Sequence, residues 1–354
     1  MCIRDRRTVL LEGSGAPRTA AVPLEVADDP CLVLLSSTGL VARTPISTAE
    51  RDSGDLFAAA APAGRGGPAA APRSAHVVVV SSVAATARGS IAVVTSAGRL
   101  IRVGALEIPA LPPSAHSPGL AGGAPVTEFV ALQPGETVAG LAAPDAAGGG
   151  LALGTASGVV KRVAPDYPGS SPEFEVISLK PGDRVVGAVQ LTTEDCDLVF
   201  ISTDAQLLRF PATSVRPQGR AAGGMAGIRL SARAGVAWFG AVGTGPAGSG
   251  AGEPVVVTVA GSTGALPGTG AETAKVTPCR EYPGKGRATG GVRCHRFLKG
   301  EDALVLAWAG PGPARGATNA GVPVELPGPE GRRDGSGTRI RQPLASLGGQ
   351  APPA

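Results

Sequence analysis

The chain has 354 residues, with 32 Lys plus Arg against 28 Asp plus Glu, a formal net charge of +4 and an aromatic content of only 3%. So few rings weigh against a single-strand binder that stacks bases, and five cysteines without a C-x-x-C pair weigh against a zinc or disulfide framework. No signal peptide and no apolar run of membrane-spanning length is found, so a cytoplasmic protein without a membrane partner is expected. Gly and Pro together make up about a quarter of the chain, yet β-branched runs such as Val77–Val80 and Val255–Val257 recur, which argues for a folded β protein with long loops.

In chain order, residues 1–12 open with MCIRDR, neither a targeting segment nor a strand, and read as an arbitrary start, the truncated remnant of a longer protein. Four segments of one design follow, at Leu32–Pro45, Ile91–Val103, Leu151–Val163 and Leu198–Phe210. Each is an apolar strand, a turn of small polar residues, and a second strand with a basic residue four positions after the turn. Gly39, Gly98, Gly158 and Ala205 align at the turns, followed by Arg43, Arg102, Arg162 and Arg209. Weaker copies at Val255–Pro267 and Ala314–Pro327 bring the total to six, spaced 47 to 60 residues apart. Repeated hairpins at this period are the signature of a propeller-like array, because no single hairpin can bury its apolar face alone.

A second element recurs between the hairpins, at Phe129–Ala143, Phe174–Val189, Gly227–Val242 and Cys294–Gly310. Two of its turns are Pro-Gly followed by an acid, Pro134-Gly135-Glu136 and Pro181-Gly182-Asp183. Two hairpins per repeat predict four strands per blade. The Ala/Gly/Pro-rich stretches Ala58–Ser74, Pro109–Pro125 and Thr244–Gly252 read as flexible loops, and residues 331–354 as a flexible tail beyond a pinwheel spanning 13–330.

Chemistry concentrates in two stretches. Val215–Leu230, VRPQGRAAGGMAGIRL, sets Arg216, Arg220 and Arg229 on a glycine-rich backbone, and no carboxylate lies between Asp204 and Glu253. Glycine permits close approach to a ligand, and the guanidinium fork suits phosphate. Glu281–Phe297 echoes it with Lys285, Arg287, Arg293 and Arg296. Basic loops recurring at one place in successive repeats would form a curved positive track for duplex DNA. Enzyme motifs fail: Gly243–Gly248 fits G-x-G-x-x-G but opens no helix, Gly284–Gly291 lacks the P-loop spacing, and the three histidines adjoin no nucleophile-and-acid set. Alternatives are a propeller scaffold whose arginines face an acidic protein, and a propeller enzyme with a central-channel metal. The absence of clustered His, Asp or Glu speaks against the latter.

On these residues the chain resembles the C-terminal DNA-wrapping domain found in the A subunits of the bacterial type IIA topoisomerases, DNA gyrase and topoisomerase IV. VRPQGRAAGGMAGIRL is similar to the family's V-R-P-x-G-R-x-A-x-G-V-x-G-I-x-L, with Gly98–Leu111 and Val130–Gly140 matching in order. The resemblance implies an all-β, six-bladed β-pinwheel of four-stranded blades whose basic rim wraps or guides double-stranded DNA. It makes residues 1–12 the remnant of a junction with a missing breakage-reunion domain. It also implies two protein partners, the breakage-reunion domain of the A subunit itself and the separate B subunit that carries the ATPase. The nucleophilic tyrosine is missing, since Tyr167 and Tyr282 lack the catalytic context, so no cofactor is expected in this chain; ATP and Mg would serve other parts of the holoenzyme. Gyrases carry a basic box, Gln-Arg-Arg-Gly-Gly-Lys-Gly; the corresponding Ala63–Ala69 here keeps Arg65 but has Pro68 where the box lysine would stand. The loss implies weaker chiral wrapping and a topoisomerase IV-like protein, with the A subunit of a true gyrase as the alternative.

Overall fold

Small polar turns with a left-handed fourth residue set the local structure. In the computed structural model, which describes residues 27–46, 75–112, 119–145, 148–169, 171–243, 252–264 and 272–351, Gly39, Gly98, Gly158, Ala205 and Gly321 all have positive φ, from 60° to 84°. Each donates its N–H to the carbonyl three residues back, as in Gly98 to Thr95 at 2.9 Å. The first turn residue is always a hydroxyl amino acid. Ser36, Thr95, Thr155, Ser202 and Thr318 each accept, through the side-chain oxygen, the N–H four residues on, at 3.0–3.3 Å. A three-residue hairpin loop with an αL bulge needs that conformation, and only Ala205 adopts it without being glycine.

The hairpins build six small sheets in a ring, with single 3-10 turns and no α-helix among the described residues. Blade I is Val79–Thr86, Pro30–Ser36, Leu40–Pro45 and Ala124–Pro125 in sheet order; blade II is Val138–Ala142, Ser90–Thr95, Arg99–Gly104 and Glu173–Glu175. Blade III comprises Val185–Leu191, Gly150–Thr155, Val159–Val163, and the pair Pro217–Gln218 and Met225–Ala226. Blade IV holds Val236–Gly243, Cys196–Ser202, Gln206–Pro211 and Val292–Arg293; blade V holds Ala303–Gly312, Gly252–Gly261, Thr273–Pro278 and Thr338–Arg339. Blade VI has three strands, Ser346–Gly348, Arg315–Ala317 and Pro323–Val324.

The four-stranded expectation needs one revision, which is where the fourth strand comes from. After each hairpin of blades II to VI the chain runs back to the preceding blade, adds its outer strand there, and returns to lay the inner strand of its own blade. Glu173–Glu175 pairs with Arg99–Ile101 of blade II, whereas Val185–Leu191, beyond the Pro181-Gly182 turn, pairs with blade III. The recurrent second element is therefore split between two blades. We call the returning segments straps I to V, after the blade each reaches. The stretch Pro109–Pro125, expected as a loop, carries the outer strand of blade I on its described part.

The first strand of the hairpin in blades I to IV is buried on both faces, which is why it reads as a continuous apolar run. Val33 and Leu35 pack toward blade II with Ile91 and Ile101, while Leu32 and Leu34 pack toward blade VI with Ala351. The same alternation recurs at Leu198/Phe200 against blade III and Val199/Ile201 against blade V. The ring closes between blades VI and I: Val79 and Gly349 exchange backbone hydrogen bonds at 3.0 and 2.9 Å, and His76 donates its N–H to Gly321 at 2.9 Å. Residues 331–351 are accordingly part of the pinwheel, as strap V and the inner strand of blade VI, and not the flexible tail expected from composition.

Candidate nucleic-acid interface

Two glycines of the basic stretches meet protein backbone closely, while Gly219, Gly284 and Gly286 face open space. Gly224, at φ +81°, has room for no side chain, because a Cβ would stand 2.8 Å from the Val160 carbonyl. Gly291, at φ +74°, would place one 2.4 Å from the Leu207 carbonyl. Both lie where a strap crosses the edge strand of the blade it joins, so they allow close strap–blade contact. The arginines remain for another purpose.

Straps are joined to one another as well. Ser178 of strap II donates to Ala222 of strap III at 3.3 Å, Arg229 of strap III to Thr289 of strap IV at 3.0 Å, and Arg296 of strap IV to Gly335 of strap V at 3.0 Å, all through backbone N–H groups. Ala288 also donates to Gly227, and the Arg287 guanidinium donates to the Ala226 carbonyl at 2.6 Å. A continuous outer track results. On it Arg216, Arg229, Lys285, Arg293 and Arg296 are exposed; Arg220 and Arg287 are half-buried. Arg220 lies 5.4 Å over the Phe174 ring, a cation–π contact that sets its direction.

The four arginines that follow the hairpin turns behave differently. Arg162 is 3% exposed; its guanidinium donates to the carbonyls of Gly149 at 2.8 Å, Val215 at 3.3 Å and Ala212 at 3.4 Å, and meets Glu194 at 2.5 Å. Arg43 donates to Ile108 at 3.0 Å, and Arg209 donates to Cys279 at 3.1 Å while its Nε lies 3.0 Å from Asp197. Arg102 pairs with Asp145 at 3.0 Å. Three of them bind carbonyls of the 3-10 turn that begins the neighbouring strap. Their recurrence reflects fastening of blades, and Arg162 in particular has no surface to offer a phosphate. Arg65 and Ala63–Ala69 lie outside the described residues, as do residues 1–12.

Strap V carries a third basic turn, within the segment expected to be a tail. Gly331-Arg332 occupies the place of Gly219-Arg220 and Gly286-Arg287, and Arg332, Arg333, Arg339 and Arg341 are all exposed. The signal was legible as Pro-x-Gly-Arg, shared by Pro329-Glu330-Gly331-Arg332 and Pro217-Gln218-Gly219-Arg220. Two buried lysines hold these turns. Lys161 Nζ donates to the carbonyls of Arg220 and Ala222 at 2.8 and 2.7 Å. Lys275 Nζ donates to those of Arg332, Arg333 and Gly335. Burial pushes both ammonium groups down to about 8. Turned inward, those carbonyl oxygens are withdrawn from the face that a polyanion would approach.

His295, 1% exposed, ties strap V to blade V: its Nδ1 lies 2.9 Å from Thr258 Oγ1, and its Nε2 accepts the Gly337 N–H at 3.2 Å. Burial and then the Lys275 charge lower its pKa to about 4. Because the folded value is depressed, the unfolded chain binds the proton first, so stability is complete above about pH 6.5 and falls as pH drops toward 4, by up to about 3 kcal/mol. Denaturant unfolding across that window is expected to show this loss, and a smaller one in His295→Gln. Equal slopes in the two proteins would refute it.

A central cavity of about 430 Å³ is lined by inner strands, including Val138, Val186, Trp238 and Trp308. Among the described residues no group of three His, Cys, Asp or Glu could hold a metal there or elsewhere, and no helix is long and apolar enough to cross a membrane.

A closed ring of six sheets, five of which take their outer strand from the next repeat, defines a strand-exchanged β-propeller with a cationic strap track. The family described as DNA gyrase C-terminal domain, beta-propeller, matches residues 197–242 and 269–306, blades IV and V. The chain is 31% identical over 240 residues to the A subunit of DNA gyrase from Mycolicibacterium smegmatis, an alignment covering 65% of this chain and 27% of that one. In structure it is similar to the C-terminal domain of DNA topoisomerase IV (TM-score 0.60, 16% identity, 91% of this chain and 94% of that one) and of DNA gyrase A (TM-score 0.55, 17% identity, 90% and 99%). The matched segments carry the pattern of the gyrase C-terminal β-propeller family, and the chain has the fold of the C-terminal domains of DNA gyrase A and DNA topoisomerase IV. It spans about a quarter of the length of the gyrase relative.

Proposed function

We propose that this domain binds duplex DNA without sequence preference through the exposed cations of its straps and guides it to the cleavage core of a type IIA topoisomerase. The breakage-reunion domain of the A subunit would be one partner and the ATPase-bearing B subunit the other, and ATP and Mg would act on those parts. The observation that carries the reading is the hydrogen-bonded track from strap III to strap V, whose strap III contains four arginines and no carboxylate. A continuous positive strip raises the local concentration of a polyanion even though the net charge is only +4. Duplex fits better than single strands, because both tryptophans lie on inner strands around the central cavity.

Within that reading we favour a topoisomerase IV-like, relaxing and decatenating role, on the degenerate Ala63–Ala69. The gyrase alternative is favoured by the mycobacterial relative. Ligating nicked circular DNA in the presence of the chain separates them. Little change in linking number is the expected result; strong positive writhe would return the gyrase reading. An acidic-protein scaffold would leave duplex DNA unbound at low salt.

A further inference from the structure

The straps differ sharply in charge, and the difference follows the ring. Strap I, residues 105–137, has three carboxylates and no Lys or Arg; strap II, 164–184, has four carboxylates against two cations. Strap III, 212–235, has four cations and no carboxylate; strap IV, 279–302, six against three; strap V, 325–345, four against three. Glu107, Glu128, Asp166, Glu173 and Glu175 face solvent on the first two straps, with Lys180 and Arg184 the exposed cations there. On strap III all four arginines but the half-buried Arg220 are exposed, and on strap V Glu325, Glu330 and Asp334 are exposed beside the four arginines. The boundary is sharp, lying where Arg220 of strap III packs over Phe174 of strap II.

Resting on the DNA-binding reading above, we infer that duplex DNA contacts only the arc of straps III, IV and V and leaves the ring at the strap II–III boundary, so that the domain deflects DNA without encircling it. Phosphates following the track past Arg220 meet carboxylates within a Debye length of about 8–10 Å at moderate salt, where repulsion is not screened. Along the arc the opposite holds. The backbone links at Arg229–Thr289 and Arg296–Gly335 keep the three cationic straps in fixed succession, and Lys161 and Lys275 draw the carbonyls of straps III and V inward. A rigid row of cations meets phosphate without first having to be ordered.

Single cysteines report the path. Gly169, Gly219, Gly286 and Gly331 have nothing within 4 Å of a built Cβ and no positive φ, so each accepts a cysteine; exposed Thr127 supplies the strap I position. The chain carrying Thr127→Cys, Gly169→Cys, Gly219→Cys, Gly286→Cys or Gly331→Cys is labelled with a photoreactive aryl azide and irradiated with random-sequence duplex. The unsubstituted chain measures background from its five native cysteines, of which Cys196 is half-buried. Crosslinking at 219, 286 and 331 at least about tenfold above that at 127 and 169 is expected. Comparable crosslinking at 127 or 169, or none at 219 and 286 while DNA is bound, overturns the arc and leaves the DNA-binding reading standing. Failure of the unsubstituted chain to bind duplex at low salt overturns both.

Discussion

Replacing Arg216, Arg229, Arg293 and Arg296 together by glutamine is expected to flatten the dependence of log affinity on log salt by up to about 3.6, roughly 0.9 for each phosphate interaction removed. At 0.1 M salt the same change corresponds to on the order of a thousandfold in affinity for duplex DNA. These four are exposed, and the links that Arg229 and Arg296 make between straps run through their backbone N–H groups, which glutamine retains. The variant should therefore unfold within about 0.5 kcal/mol of the parent, as surface changes usually do. Arg220 and Arg287 are left in place because the first stacks on Phe174 and the second holds the Ala226 carbonyl, so their replacement would mix folding with binding. An unchanged salt slope in the quadruple variant would show that the strap track is not where DNA binds.

Arg162→Ala should do the reverse. The guanidinium is buried among three carbonyls and Glu194, at the junction of blade III with the start of strap III. Removing this buried cation strands its acceptors, at a cost of about 3–5 kcal/mol. The denaturant midpoint should fall accordingly, while the salt slope of DNA binding by the folded fraction stays as in the parent. Arg162→Lys would recover little, because one ammonium cannot span the carbonyls the planar fork reaches. A variant that keeps its midpoint and loses slope would return Arg162 to the DNA-binding set.

These two experiments divide a group of arginines that looks uniform in the sequence. Arg162 and Arg216 have the same charge and both lie in recurrent segments, and nothing in their neighbours along the chain distinguishes a fastener from a phosphate ligand. The partner of Arg43 is 65 residues away and that of Arg209 is 70 residues away. A repeat at fixed spacing is equally what blade-to-blade fastening and repeated ligand binding would produce. The glycines of VRPQGRAAGGMAGIRL were ambiguous for the same reason. Gly224 and Gly227 approach Val160 and Phe200 of neighbouring strands, while Gly219 faces open space.

What the amino-acid order determined by itself was everything set within a few residues: the Ser/Thr-x-x-Gly turns, the Pro-Gly turns with Gly135 and Gly182 at φ 79° and 80°, and the hairpins and their count of six. Such features depend on backbone conformations that only certain residues tolerate, so they can be read locally. The tertiary structure decided which blade receives each strap, that residues 331–351 belong to the ring, which arginines are spent inside it, and that the cations gather on three consecutive straps. Those outcomes depend on pairing across a repeat of about sixty residues, where the energy lies in contacts between segments that carry no mark of one another.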